Sequence, residues 1–433
     1  MRVSGNSVQT ACVAIAALWT TSPVLIYSTP FRALALLSVA LWLALESLRP
    51  NGIFRKPTAQ VLLVGVFIFY TAVVQILLDG LSSLTSHLQI WIMMFFLIVY
   101  QSRRNDMSSL VPVFWVVIST MPIWLIITGY TVTSLDAHAA RVVVRSTEEA
   151  QSLAEQGVGG YALIYGTVLM LPGLMAMALA RWRPIPGTLP IGLRNMPRLA
   201  PLLIWVNVVL GSLVVLTAGF TLAVIALMGV FVSLFALKHY SATRVFICVL
   251  VVTSLAIFAE PAVELLLRAM QPLADGTKYG AKVSDLLATL DSGSAVGTAS
   301  DRVERYDRSI NTFLENPLLG VLGLRGVGKH SEILDAFARW GVFFGIMYTY
   351  IVVASPVRML FAKRSHFGAP IALIVGVLVI FGLNSSFAAA GAMMFIVFPV
   401  AMYLLARQDD DIHAQMTVSE GPPPDLAGLQ RPV

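Results

Sequence analysis

The chain has 433 residues, of which 57% are hydrophobic and only 12% are charged, and its mean hydropathy is +0.80. A water-soluble domain needs more charge to cover its surface, so this composition excludes a soluble globular protein and predicts a chain embedded in lipid. The formal net charge of +6 does not indicate nucleic acid, because the basic residues are scattered at the ends of apolar segments, where they orient helices in a membrane.

Apolar segments long enough to cross the hydrocarbon core follow one another along the chain. They lie near residues 8–27, 31–48, 60–79, 84–100, 109–130, 159–180, 200–217, 219–237, 242–259, 335–355, 369–385 and 387–406. We therefore predict an all-α fold, a polytopic transmembrane helical bundle of about twelve spans over residues 1–406. No internal repeat marks two symmetric halves.

Basic residues concentrate in alternate connections between these segments, which the positive-inside rule assigns to the cytoplasm. They are Arg49, Arg55 and Lys56; Arg103 and Arg104; Arg181, Arg183, Arg194 and Arg198; Lys238 and Arg244; and Arg358, Lys363 and Arg364. With Arg2 before the first span and Arg407 after the last, both termini are predicted to be cytoplasmic.

Two long connections then fall on the outer side. These are residues 131–158 and the large polar loop 260–334, which is too long for a turn and is expected to contain short helices and the functional site. The tail 407–433 is acidic and proline-rich, a composition that predicts a disordered cytoplasmic segment.

The large loop contains a stretch that resembles a nucleotide-binding motif but lacks features that nucleotide binding requires. Residues 323–330 fit G-x-x-x-x-G-K, but His330 stands where a Mg²⁺-binding Ser or Thr is needed, no strand precedes the motif, and the predicted compartment holds no nucleotide. Cys12 and Cys248 lie in apolar segments, and the histidines form no closely spaced cluster. We therefore expect no metal and no cofactor.

The same glycines deliver His330 to the start of a helix predicted from about Ser331. There the imidazole lies beside free helix-terminal N–H groups, a position that favours anions. Glu332 and Asp335 in the first turn suit the helix dipole. The alternative is a capped helix with an incidental histidine.

Residues 301–308, which include Arg302, open a predicted amphipathic helix that Asn316-Pro317 ends. Helical spacing gives two of its arginines acidic partners in the favourable order: Asp301 with Arg305, and Glu304 with Arg308. Arg302 has no such partner, which leaves its guanidinium available for a phosphate or pyrophosphate. The alternative is a solvated loop arginine.

The other outer loop supplies Arg141 and Arg145 ahead of the glycine-rich entry to the sixth span at residues 157–161. Two roles are open to these arginines. They either join an anion site or bind lipid headgroups.

These elements together form a recognisable pattern. Arg302, Tyr306, Asn316-Pro317-Leu318-Leu319-Gly320 and His330-Ser331 resemble the arginine, aromatic residue, N-P-L-L-G and H-S or H-N elements of the bacterial O-antigen polymerase and ligase family. The motif covers about 40 residues. The many-span layout, with its largest outer loop before the last three spans, extends the likeness loosely over the whole chain.

The resemblance implies an inverting glycosyltransferase on the outer face of the bacterial inner membrane, with a polyprenyl-diphosphate-linked glycan as donor, a second as acceptor, and no nucleotide or metal. Arg302 would stabilise the leaving pyrophosphate, and His330 would orient or deprotonate the acceptor hydroxyl. The remaining substrate-site residues implied are Arg141, Arg145, Arg305, Tyr306 and Ser331. Membrane lipids, a chain-length regulator and a flippase are the other partners that it implies.

Within that family, ligases commonly have a Ser-Arg pair near the eighth span, where this chain has residues 217–221 without arginine. That difference, together with H-S rather than H-N and Gly159-Gly160-Tyr161, favours a polymerase, whose product is O-antigen, capsule or exopolysaccharide, over a ligase to lipid A-core. A secondary transporter is the alternative from another class. Ionisable residues at the bilayer midplane would favour it, but Glu46 and Asp79 lie at span ends.

Overall fold

The computed structural model describes residues 5–143, 147–185, 187–237, 298–323, 327–360 and 366–419, with short pieces between 243 and 288. Within these ranges the chain is helical and has no strand, which confirms the predicted all-α class. The helices of the first half are α1 (Gly5–Thr21), α2 (Pro23–Tyr27), α3 (Thr29–Leu48), α4 (Ala59–Asp79), α5 (Leu88–Arg103), α6 (Val111–Tyr130), α7 (Ala139–Val142) and α8 (Glu148–Glu155). Those of the second half are α9 (Tyr161–Leu179), α10 (Ile191–Arg194), α11 (Leu199–Thr217), α12 (Thr221–Ala236), α13 (Thr298–Glu315), α14 (Glu332–Leu360), α15 (Gly368–Leu383), α16 (Ala388–Ala392) and α17 (Phe398–Ser419).

Seven helical segments of the described ranges are long and apolar enough to cross a membrane. They are Thr29–Leu48, Ala59–Leu78, Met107–Leu135, Tyr161–Leu179, Leu199–Thr217, Glu332–Leu360 and Ala388–Asp411. Three shorter apolar helices, α5, α12 and α15, accompany them. The predicted total of about twelve spans stays a prediction, because segment 242–259, except for residue 243, lies outside the described residues.

Several predicted boundaries differ from those in the structure. The first apolar segment is broken at Ser22, whose extended backbone and hydroxyl cap α2, and Pro23 lacks the N–H that would continue α1. The predicted disordered tail from Arg407 begins inside α17, which runs to Ser419. Residues 420–433 lie outside the described part of the chain.

Helix α9 and the segment Ala388–Asp411 form the centre of the bundle, since 89% of the apolar 18-residue window of each is buried inside the protein. Helix α9 packs against α11, α12, α15, α16 and α17. Helices such as α3 and α4 bury only 22% and 28% of their apolar windows, so most of their side chains face outward. That distribution is what a bundle surrounded by lipid requires.

The N-P-L-L-G turn has a structural role that explains its glycine. Helix α14 is interrupted at Gly341 (φ 68°, ψ −173°), and the turn after α13 docks into the interruption. Three backbone hydrogen bonds join them: Val342 N to Pro317 O (2.8 Å), Val321 N to Ala338 O (3.0 Å) and Leu322 N to Arg339 O (2.8 Å). A Cβ at Gly341 would lie 2.1 Å from Leu318 O, and one at Gly320 would lie 2.4 Å from Arg339 C. Both positions have positive φ, so both the backbone conformation and the close approach require glycine.

Candidate functional site

The loop that carries His330 leads directly into α14. Ser331 is only 1% exposed, and its hydroxyl accepts a hydrogen bond from Leu334 N at 3.2 Å. The predicted helix start near Ser331 is thus confirmed. The hydroxyl oxygen of Ser331 caps the first turn of α14, and its predicted contact with substrate stays a prediction.

A polar turn between α15 and α16, residues 384–386, holds this loop in place. Four hydrogen bonds converge there: Glu332 N to Asn384 O (2.9 Å), Ser386 N to Glu332 Oε2 (2.9 Å), Ser385 Oγ to Lys329 O (3.1 Å) and Tyr161 Oη to Ser385 O. Glu332 is 2% exposed. The turn therefore fixes the His330 loop relative to the first residue of the central helix α9.

The arginine-bearing helix α13 is attached to the same loop. Ser309 Oγ donates to Asp335 Oδ1 at 2.6 Å and accepts from Gly328 N at 2.9 Å. A Cβ at Gly328 would lie 2.0 Å from Arg305 O, so the loop rests directly on the backbone of α13. One hydroxyl thus fixes the distance between the helix that carries Arg302 and Arg305 and the loop that carries His330.

Arg302 and Arg305 are exposed, and neither forms a hydrogen bond or ion pair with the described residues. Both lie close enough to His330 to act on it electrostatically. Burial, with the positive charges of Arg305 and Arg302, holds the pKa of His330 below its ordinary value of 6.5. At neutral pH the imidazole is therefore uncharged and able to accept a proton.

Only one of the two predicted ion pairs on α13 is present. Arg308 Nη2 lies 2.8 Å from Glu304 Oε1, as the spacing predicted. The prediction for Arg305 is wrong, because among the described residues it makes no ion pair with Asp301. Two of the arginines on α13 are therefore available to a ligand where the sequence indicated one.

Tyr165, one turn into α9, faces the same region. Arg302, Arg141 and Tyr306 all lie within electrostatic range of its hydroxyl. Tyr306 also donates from its hydroxyl to Leu383 O at 3.2 Å, which ties α13 to the end of α15. The structure thus brings Arg141, Arg302, Arg305, Tyr306 and His330 of the predicted residues into one region. Arg145 lies outside the described residues.

Sequence reasoning missed Tyr165, the contact of Tyr161 with Ser385, Glu332 as a buried anchor, and the turn 384–386. The sequence did contain a signal for the turn. Three consecutive polar residues, Asn384-Ser385-Ser386, separate two apolar segments. Nothing local distinguished Tyr165, because it stands within an apolar helix.

The arrangement combines two cationic groups with an uncharged base at the mouth of a helical bundle. In the part of the chain that the structure describes, no group of three His, Cys, Asp or Glu residues is placed to hold a metal ion. No protein-family model matches the sequence, and no curated protein matches it. The geometry of the site therefore carries the argument for its function.

Proposed function

We propose that this chain is a glycan polymerase that joins polyprenyl-diphosphate-linked oligosaccharide repeat units on the outer face of the bacterial inner membrane. One observation supports this most directly: Arg302 and Arg305, both without partners among the described residues, lie within electrostatic range of the uncharged imidazole of His330. A diphosphate leaving group requires cations, and an acceptor hydroxyl requires a base. Helix α13 supplies the cations, and the loop before α14 supplies the base.

The reaction follows from these roles. The acceptor hydroxyl of one lipid-linked unit attacks the anomeric carbon of the other, and its proton passes to the His330 imidazole. The bond between that carbon and the diphosphate oxygen breaks on the opposite face, so the configuration inverts. The electron pair leaves with the polyprenyl diphosphate, whose charge Arg302 and Arg305 stabilise, with Arg141 as the third nearby cation.

The seven apolar segments support a membrane setting, which suits substrates with lipid tails. The polymerase is preferred to the ligase because residues 217–221 lack the arginine that the ligase pattern requires. Both termini in the cytoplasm and the His330 loop outside complete the proposed topology, which labelling of single cysteines from either side of the membrane tests directly.

The decisive experiment is deletion of the gene in its host, followed by complementation. Loss of a polymerase leaves a single repeat unit on the lipid core, whereas loss of a ligase leaves none, and gels of surface glycan distinguish the two. We expect wild type to restore the polymer ladder and His330→Ala to fail. His138→Ala, an exposed histidine in the loop before α7, serves as the matched control and restores the ladder.

Purified protein gives the complementary test. Mixed with lipid-linked repeat units in micelles, it should release polyprenyl diphosphate and lengthen the glycan. A normal ladder from His330→Ala contradicts the role given to His330. Solute uptake by vesicles that lack any lipid-linked glycan contradicts the proposed function and favours a transporter.

A further inference from the structure

A cavity of about 240 Å³ lies beside the His330 site, on the other side of Tyr161. It is bounded by the break between α1 and α2, the start of α5, the residue that follows α7 and the first turn of α9. Tyr161 forms part of its wall, and the same residue donates its hydroxyl to the turn 384–386 that holds the His330 loop. The cavity and the proposed reaction centre therefore share a side chain.

The described residues that line the cavity include no charged side chain. The arginines of the neighbouring site thus stand outside it, and the lining offers a diphosphate no counter-charge. Its polar groups are hydroxyls, backbone amides and one side-chain amide. Such a lining suits an uncharged ligand that both donates and accepts hydrogen bonds.

The acceptors of the cavity come from the end of α1. The hydroxyls of Thr20 and Thr21 donate to Ala17 O at 3.0 and 2.8 Å, which uses their protons and leaves their oxygen lone pairs to accept. Both threonines are buried, so their positions are fixed by packing.

The donors come from the opposite wall. Gln89 accepts a hydrogen bond from Ala388 N through Oε1 at 2.9 Å, which orients the amide and leaves its Nε2 hydrogens as donors. Helix α9 begins after Gly160 without a side-chain cap, so the N–H groups of its first turn also remain available. The rings of Tyr161 and Phe387 meet edge to face, with centroids 5.2 Å apart, and add an apolar wall.

We propose that this cavity binds an uncharged sugar ring of the lipid-linked glycan, while the arginines bind its diphosphate. Hydroxyls on a sugar ring match the alternating donors and acceptors, and its C–H face matches the aromatic wall. This inference rests on the proposed function, because it assigns a part of that substrate to a second region of the same site.

Binding of two probes to the purified full-length chain tests the inference: polyprenyl diphosphate that carries the host repeat unit, and bare polyprenyl diphosphate. Gln89→Glu keeps the oxygen that accepts from Ala388 N but removes the amide donor. Thr21→Val keeps the shape and removes the hydroxyl. We expect each to weaken binding of the sugar-bearing probe by about tenfold and to leave binding of the bare probe unchanged.

Gln156→Glu, on the exposed end of the loop after α8, is the matched control and should bind both probes as wild type does. If Gln89→Glu and Thr21→Val bind the sugar-bearing probe as tightly as wild type while Arg302→Ala weakens both probes, the sugar-ring assignment is overturned and the proposed function stands. If wild type binds neither probe, the proposed function fails and this inference fails with it.

Discussion

Two charged clusters at opposite ends of the bundle differ in burial and in pairing. At the end away from His330, the Glu46 carboxylate is 1% exposed and is surrounded by partners. Gln9 Nε2, Ser102 Oγ and Ile53 N donate to it at 3.0, 2.7 and 3.1 Å. Arg103, itself 3% exposed, lies 3.8 Å from the same carboxylate and donates to Gln9 Oε1.

At the His330 end, Arg302 and Arg305 are exposed and engage no acceptor among the described residues. Charges that contribute to folding are enclosed with counter-charges, because an isolated buried ion costs several kcal/mol. Charges without partners do little for the fold and remain available to a ligand. The contrast separates a structural network from a binding site within one molecule.

The largest effect on stability is expected at the structural end. Glu46→Ala removes the carboxylate and leaves the buried Arg103 guanidinium without its counter-charge, which should lower the free energy of unfolding by about 3–5 kcal/mol. Glu304→Ala, which breaks the exposed pair with Arg308, should cost at most about 1 kcal/mol. Thermal unfolding of both variants in the same micelles measures the difference, and equal losses would remove the distinction between the two ends.

At the other end the expected effect is on the reaction and not on the fold. Arg302→Ala should lower the rate of polymerisation by about 100- to 1000-fold, the loss typical of a group that stabilises developing charge, with an unchanged unfolding temperature. Arg308→Ala on the same helix is the control and should keep nearly full activity, since its partner is Glu304. An unfolding temperature lowered as much as that of Glu46→Ala would make Arg302 structural.

Glu332 belongs to neither class, because it is buried at the His330 end and accepts from a backbone amide. Glu332→Ala leaves Ser386 N without its acceptor, which costs about 1–3 kcal/mol of stability and should reduce activity through displacement of the His330 loop. Glu332→Gln retains a side-chain oxygen and should recover most of the activity. Reaction rates and unfolding temperatures of both variants distinguish positioning of the loop from a direct role. If Glu332→Gln is as inactive as Glu332→Ala, the charge of the carboxylate takes part in the reaction itself.

The smallest effect is a shift in pH dependence. Activity should fall as the pH drops through the pKa of His330, because the protonated imidazole cannot accept the proton of the acceptor hydroxyl. Arg305 lowers that pKa by repelling the imidazolium, so Arg305→Gln raises it and moves the acid limb of the rate profile to higher pH. The limb of Arg308→Gln should coincide with that of wild type. If the acid limb of Arg305→Gln also coincides with that of wild type, a group other than His330 controls the pH dependence.

Local features of the structure were predictable from sequence where one segment decided them. Apolar length predicted most helices, Asn316-Pro317 predicted the end of α13 at Glu315, and the glycine-rich stretch predicted a helix start at about Ser331. These are properties of neighbouring residues, and propensity and periodicity report them well.

Features that depend on which helix ends meet were not predictable. The contacts of Glu332 with residues 384–386 join positions more than fifty apart, and no local pattern encodes that pairing. A different reason accounts for the wrong prediction of an Asp301–Arg305 ion pair. Acid-first spacing permits the pair, but exposed side chains on α13 gain little free energy from forming it. The interruption at Gly341 was hidden because α14 keeps its apolar pattern on both sides.

The docking of the N-P-L-L-G turn into Gly341 bears on how the protein is made. The two partners are separated by about 20 residues, a loop whose closure costs little entropy, so this unit can close soon after it leaves the ribosome. Arg302, Arg305 and His330 are then already in place. The turn 384–386, however, is synthesised later and supplies the only described acceptor for the Tyr161 hydroxyl. A nascent chain thus carries these charged groups early, but its His330 loop lacks the partners in the turn 384–386 until the last helices have been synthesised.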